Sequence, residues 1–150
     1  MAAGPRAAPG VAGGGAGGAP YSATTRGVRV SVRAFYLADQ SDPDEGRHVW
    51  AYRVSIANEG REPVRLLRRT WLITDAMGRT TTVHGEGVVG EQPLLDPGEA
   101  FEYTSGTPLP TPSGIMRGAY HMVLPATGEA FDAEIPAFSL DSPHGAGALN

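Results

Sequence analysis

The sequence predicts an all-β fold, an antiparallel β-sandwich of immunoglobulin or fibronectin type III style with seven or eight short strands. Apolar residues recur with a period of two rather than the 3.6 of a helix. Clusters of Gly, Pro, Asn and Asp separate these runs at intervals of about 8–12 residues. No stretch of about ten residues joins a helical apolar stripe to capping signals, so helix is limited to a turn or two. A small open barrel is the alternative arrangement.

Three strands are predicted in the first half of the folded region. Residues 28–32 alternate Val with polar side chains, which is the pattern of a half-buried strand. Residues 50–56 alternate in the same way and end at the turn residues 58–60. The third strand covers residues 64–75, where the adjacent Leu66 and Leu67 break the alternation and indicate a β-bulge or burial on both faces.

The second half of the folded region continues the same alternation. Its turns contain Asp, Gly and Pro, and its apolar residues again share one parity within each run. The predicted elements are a hairpin turn at 75–78, a strand at 79–83, a turn at 96–98, a strand around 101–103, a strand over 116–124 and a final strand from 131 that Pro136 interrupts.

The predicted domain organisation is a single sandwich domain over residues 21–143. Residues 1–20 consist almost entirely of Gly, Ala and Pro and are predicted to be a disordered arm, either a linker or an overextended gene start. Residues 144–150 are predicted to be a frayed tail. Gly interrupts every apolar run of the arm, and no run approaches the length of a membrane span. We therefore expect a cytoplasmic protein without membrane insertion.

Composition excludes several classes of function. The 12 basic residues, all of them Arg, are outnumbered by 16 acidic residues, and the net charge of −4 disfavours nonspecific nucleic-acid binding. The absence of Lys excludes Schiff-base chemistry and a lysine-dependent phosphate loop. The absence of Cys excludes thiolate metal sites and cysteine nucleophiles. No Ser lies in a Gly-x-Ser-x-Gly elbow, so the expectation is a protein that is not an enzyme.

A glycine-rich string is the most conspicuous motif. Gly85, Gly87 and Gly90 satisfy the spacing Gly-x-Gly-x-x-Gly. A dinucleotide site needs a helix after this string, whereas the residues that follow contain two prolines and no helical face. The favoured interpretation is a strand-linking loop in which Gly permits positive φ. Nucleotide or pyrophosphate binding at this loop is the weaker alternative.

Residues with metal-ligating side chains form a second group of candidates for binding. His84 and Glu86, with His121 as a third partner, offer ligands for a divalent cation, although no local spacing supports a metal site. The acidic run at 39–45 lacks calcium-loop spacing and is predicted to be a solvated loop.

An arginine-rich stretch is the other candidate. Arg68 and Arg69 lie in or beside the strand that also contains Trp71, together with Arg65. These residue types are enriched in binding hot spots. The alternatives are a solvated outer sheet face and a recognition patch for a protein or a small anion.

The sequence resembles the ApaG family over about residues 24–143. The resemblance is carried by the runs at 50–52, 71–75, 84–94, 97–99, 103–106, 118–122 and 135–138, above all by the string Gly-Glu-Gly-Val-Val-Gly-Glu-Gln-Pro-Leu. It implies a fibronectin-III-like sandwich. Bacterial members are labelled with cobalt and magnesium efflux, which can only be indirect for a chain without a membrane span. Related domains in eukaryotic F-box proteins and a polymerase-delta-interacting protein are regarded as protein-interaction modules.

The combined expectation is a bacterial, cytoplasmic, non-enzymatic binding module for a protein partner, with no nucleic acid bound and with a homo-oligomer compatible with the sequence. A divalent-metal sensor or scavenger for Co²⁺ or Mg²⁺ is the alternative, and a weakly bound divalent cation is the one cofactor considered. The candidate binding residues are Gly85, Glu86, Gly87, Gly90, Arg68, Arg69 and Trp71, and the weak metal candidates are His84, Glu86 and His121.

Overall fold

The computed structural model describes residues 20–144, where nine β-strands form two antiparallel sheets. Apart from Pro20 and His144, the predicted arm and tail lie outside the described residues. The strands are β1 (Tyr21–Thr25), β2 (Val28–Tyr36), β3 (His48–Asn58), β4 (Val64–Asp75), β5 (Thr80–Glu86), β6 (Leu94–Leu95), β7 (Ala100–Leu109), β8 (Ser113–Leu124) and β9 (Glu129–Asp141).

The two sheets pack face to face. The first has the strand order β1-β2-β3-β7, and the second has the order β5-β4-β8-β9, with the short β6 also pairing with β4. The predicted antiparallel sandwich is confirmed, and across the described residues the sheets do not close into a barrel. No helix among residues 20–144 is long and apolar enough to cross a membrane.

The alternation predicted from the sequence produces the core between the sheets. Each strand places one parity inward, so apolar side chains from both sheets meet in a single cluster. The largest fully buried side chains are Trp50, Tyr120, Phe138, Ile56, Leu66, Met116, Met122, Ile135 and Leu140.

The bulge predicted in β4 is confirmed. The pairing of β4 with β8 shifts register between Leu66 and Arg68, which leaves Leu67 as the extra residue. Leu66 and Trp71 can therefore both point into the core, although they have opposite parity. As a consequence, Arg69 shares the inner face with Trp71, while the exposed Arg68 lies on the outer face.

The prediction that Pro136 interrupts the last strand is wrong. β9 continues through Pro136 because a second bulge lies there, in which residues 136 and 137 oppose the single residue Arg117 of β8. Proline lacks an N–H group, and a bulge removes the need for that donor in the ladder. The predicted number of strands was also too low, because β1 has little apolar alternation and β6 has only two residues.

The predicted hairpin turn at 75–78 is confirmed. Gly78 has a φ of +83°, and a carboxylate oxygen of Asp75 accepts the N–H groups of Met77 and Arg79. Burial of Asp75 acts to raise its pKa, but these two N–H groups and the Arg79 guanidinium outweigh it and lower the pKa. The turn therefore holds its carboxylate ionised.

Within residues 20–144, helix is limited to two single 3₁₀ turns, as predicted. They are Ala38–Gln40 and Pro43–Glu45, which overlap the acidic run at 39–45, and neither contains a buried residue. The acidic run is thus an exposed connection between β2 and β3.

Candidate functional site

The sandwich is closed along one side and open along the other. On the closed side, the Tyr21 hydroxyl contacts the Ser139 hydroxyl at 3.2 Å, and the Glu134 N–H donates to Thr25 Oγ1 at 3.1 Å. These contacts join β1 to β9. On the opposite side, the edge strands β5 and β7 border a cleft of about 530 Å³. We refer to this space between the two sheets as the edge cleft.

Aromatic side chains form the floor of the edge cleft. Tyr52 and Tyr103 come from the first sheet, and Trp71 comes from the second. The rings of Tyr52 and Trp71 meet edge to face, with their centroids 5.3 Å apart. Val83 of β5 and residues 103–107 of β7 form the two rims. The cleft can therefore hold an apolar group between the sheets.

Arg69 also lines the edge cleft and is held in place by the backbone of the next strand. Its Nη1 donates to the carbonyl oxygens of Glu86 at 3.1 Å and Gly87 at 2.7 Å. A Cβ atom on Gly85 would lie 2.6 Å from the Arg69 Cζ, so a side chain there would displace the guanidinium from this position. Within residues 20–144, no carboxylate oxygen lies within 4.0 Å of this guanidinium.

The tyrosine hydroxyls near Arg69 are buried and uncharged. The hydroxyls of Tyr103 and Tyr120 are 2.5 Å apart. Burial raises the pKa of Tyr52, Tyr103 and Tyr120. The positive charge of Arg69 acts in the opposite direction on all three hydroxyls without reversing the shift. The charge at this end of the edge cleft is therefore positive.

The glycine-rich loop, residues 87–93, connects β5 to β6 rather than to a helix. Val88 and Glu91 exchange two backbone hydrogen bonds, at 2.8 and 2.9 Å, around the two residues Val89 and Gly90. Both of these residues have positive φ, +44° and +82°, as in a type I′ turn. Positive φ is strained for a β-branched residue, by roughly 1–3 kcal/mol. Val89 is one of the residues that line the edge cleft.

This loop is fixed to the bulge of β4. The Leu67 carbonyl accepts the Gly87 N–H at 2.8 Å and the Gln92 side-chain amide at 2.9 Å. The Leu66 N–H donates to the Pro93 carbonyl at 3.1 Å. Val88 is fully buried and anchors the loop in the core. The loop is therefore a firm wall beside Arg69, and Gln92 and Pro93 contribute to it although no role was predicted for them.

The outer face of the second sheet contains a separate polar network. Thr70 Oγ1 lies 3.1 Å from His84 Nδ1 and 2.7 Å from His121 Nε2. On its other side, His121 Nδ1 lies 2.7 Å from an oxygen of Asp132. In the described part of the chain, no three His, Asp or Glu side chains are grouped closely enough to hold a metal ion.

Comparison with known proteins identifies the family. Residues 38–124 match the family model described as the ApaG domain. Protein ApaG of Rhodospirillum centenum is 67% identical over 125 residues, which cover 83% of this chain and 95% of that protein. Protein ApaG of Paramagnetospirillum magneticum is 63% identical over 130 residues, which cover 87% of this chain and 99% of that protein. The chain belongs to the ApaG family.

A solved structure supports both the family and the fold. The ApaA protein of Bordetella pertussis, whose crystal structure is known, is 50% identical in sequence to this chain. The two structures align with a TM-score of 0.75. The alignment covers 78% of this chain and 94% of that chain. The resemblance to the ApaG family inferred from the sequence is therefore confirmed, and the matched residues include the β4 bulge and the glycine-rich loop.

The site residues predicted for this ApaG chain fall into two groups on opposite faces of one sheet. Arg69, Trp71, Gly85 and Gly87 surround the edge cleft or its loop. The outer face around Thr70 contains Arg68, Glu86, His84 and His121. Gly90 lies at the exposed tip of the loop. The arginine patch is thus divided by the sheet. Five residues of these two surfaces were not predicted as site residues, because only the register of the strands brings them to the edge cleft or to the outer face. They are Tyr52, Tyr103, Val83, Thr70 and Asp132.

Proposed function

We propose that this ApaG-family chain is a cytoplasmic, non-enzymatic module that binds an extended segment of a partner protein in the edge cleft. The observation that supports this proposal is the position of the cleft along the edge of β7. Within the described residues, β7 pairs with β3 alone, so one side of its backbone is available for pairing. Such an edge accepts a further strand through main-chain hydrogen bonds.

The walls of the edge cleft suit side chains of such a segment. Alternate residues of an added strand point to the same side, and one set would enter the space between the sheets. There they would meet Trp71 and Val83, which supply apolar contact. The main chain of β7 contributes affinity, and the aromatic floor contributes preference for particular side chains.

A matched pair of glutamate variants tests this proposal. Val83 is 37% exposed and lines the edge cleft, whereas the exposed Thr82 lies beside it on the outer face. Random peptides selected for binding to the full chain should shift the amide resonances of residues 103–107 and the Trp71 indole. Val83→Glu should weaken their binding at least tenfold, and Thr82→Glu should leave it unchanged. If no peptide is enriched, or if both variants bind equally, the edge cleft is not a peptide site.

A divalent-cation sensor or scavenger is the second candidate function. The observation that favours it is that Thr70 Oγ1 lies within hydrogen-bond distance of a ring nitrogen of both His84 and His121. Glu86 lies two residues from His84 on the same strand. Imidazole nitrogens suit Co²⁺ better than Mg²⁺. An association with metal efflux would then act through binding rather than transport.

If the chain binds cobalt at this site, His84→Ala should weaken the binding at least tenfold. The affinity is measured on the full chain from the paramagnetic broadening of its amide resonances. Broadening should centre on His84 and His121 and should resist excess Mg²⁺. The exposed His144 provides the matched control, and His144→Ala should bind cobalt as the unchanged protein does. Equal cobalt affinity of the two variants would exclude this site.

A further inference from the structure

We propose that the edge cleft recognises the free C-terminal carboxylate of the partner segment, which Arg69 binds while the last apolar side chain packs between Trp71 and Val83. This inference rests on the proposed function, because it specifies which part of a partner enters the cleft. It assigns Arg69 a ligand of defined charge and shape.

The Arg69 guanidinium is the cation of the edge cleft. It is half-buried, and no described carboxylate lies within 4.0 Å of it. Only Nη1 donates to described acceptors, the two carbonyls of residues 86 and 87, so Nε and Nη2 remain for a ligand. A guanidinium presents its donors as a planar fork that matches the two oxygens of a carboxylate. Charge complementarity therefore favours an anionic occupant.

The described side chains around that cation in the edge cleft are neutral. The hydroxyls of Tyr52 and Tyr103 are the neighbouring polar groups of the cleft floor, and burial keeps both neutral. A carboxylate at Arg69 would thus meet one positive charge and no negative one among the described cleft residues. In an apolar cleft such a pair is stronger than on an open surface, because less water screens it.

The position of the glycine-rich loop favours a chain end, rather than an internal acidic residue, at Arg69. The glycine-rich loop stands at this end of the cleft, since the carbonyl oxygens of Glu86 and Gly87 rest on the guanidinium. That loop is fastened to the β4 bulge and closed by the buried Val88. A peptide that continued past Arg69 would run into it.

The remainder of the segment has room in the other direction. The lining continues along the inward-facing residues of β7 from Tyr103 through Ser105 to Thr107, four residues or roughly 13 Å away. Tyr103 bonds through its hydroxyl to Tyr120, the residue opposite Arg69, so Thr107 at the other end of this lining is remote from Arg69. The cleft thus accommodates the last few residues of an extended chain, with its end at Arg69.

The probes for this proposal are N-acetyl-leucine and N-acetyl-leucinamide, which differ in the carboxylate alone. They are titrated into the isotope-labelled full chain while amide, indole and arginine side-chain resonances are followed. N-acetyl-leucine should produce saturable shifts at Trp71, Val83 and the Arg69 Nε–H. The amide should bind at least tenfold more weakly. This comparison uses the unchanged protein, so it does not depend on the folding of any variant.

Two arginine variants localise the effect. Arg69→Gln should remove the preference for the acid over the amide, whereas Arg68→Gln removes the same charge from the outer face and should retain that preference. Equal binding of acid and amide at the edge cleft would overturn the carboxylate assignment and leave peptide binding standing. Absence of shifts at the cleft with either probe would also overturn it, and the peptide selection with Val83→Glu then decides separately whether the proposed function fails.

Discussion

Gly118→Ala is expected to lower the free energy of unfolding by about 3 kcal/mol, the upper end of the usual cost of overpacking, because the added methyl group would overlap backbone atoms. Gly118 lies in β8 between Trp71 of β4 and Ile135 of β9. A Cβ atom there would overlap the carbonyl oxygen of Thr70 and would lie 3.1 Å from the Thr70 carbonyl carbon. Both are backbone atoms of a central strand, so neither can move without disturbing the β4–β8 ladder. Urea unfolding of the two proteins measures the difference.

The matched control is Gly106→Ala in the edge strand β7. Its added Cβ would lie 3.2 Å from the Trp50 carbonyl oxygen, the one heavy atom within 4 Å, and Gly106 is exposed. We expect a change of at most about 1 kcal/mol. If the two substitutions destabilise the chain equally, the effect reflects loss of glycine in a strand rather than close approach of two backbones.

The strands that position the site follow directly from the sequence where one face of a sheet is buried. The Val residues at 28–32 and the aromatic and aliphatic residues at 50–56 alternate cleanly, and the structure buries the predicted parity. β1 escaped prediction because all five of its residues are exposed or partly exposed, so no apolar alternation marks it. The continuation of β9 through Pro136 was not predictable, since it requires the opposing residue Arg117 and a bulge.

The site was less predictable than the fold, because it depends on register. The broken alternation at Leu66 and Leu67 allowed either a bulge or burial on both faces, and only the pairing of β4 with β8 shows that a bulge is present. The bulge decides which arginine faces the edge cleft, because without it Arg68 would continue the inward parity of Leu66, whereas with it Arg69 shares the inner face with Trp71. The contact of Thr70 with His121 also joins residues 51 positions apart, which only the pairing of β4 with β8 brings together. Adjacent arginines therefore suggested a single patch where the fold makes two surfaces.

The buried tyrosine pair beneath the edge cleft gives the second large expected effect. Tyr103 is 4% exposed, Tyr120 is 0% exposed, and their hydroxyls hydrogen-bond to each other. Tyr103→Phe or Tyr120→Phe alone leaves the other hydroxyl buried without its partner, which should lower the free energy of unfolding by about 1–3 kcal/mol. The double variant removes both hydroxyls together. Its loss should be smaller than the sum of the single losses, with a coupling of about 1–2 kcal/mol.

Urea unfolding of the four proteins gives this coupling, and Tyr21→Phe, which changes an exposed hydroxyl, should alter stability by less than about 0.5 kcal/mol.

Alkaline pH provides an independent check. Burial raises the pKa of Tyr103 and Tyr120 in the folded chain, so above about pH 10 the unfolded chain loses these protons first and stability falls as pH rises. The double variant should lose less stability over that range. Additive single losses, or an unchanged alkaline slope, would show that the two hydroxyls do not act as a buried pair.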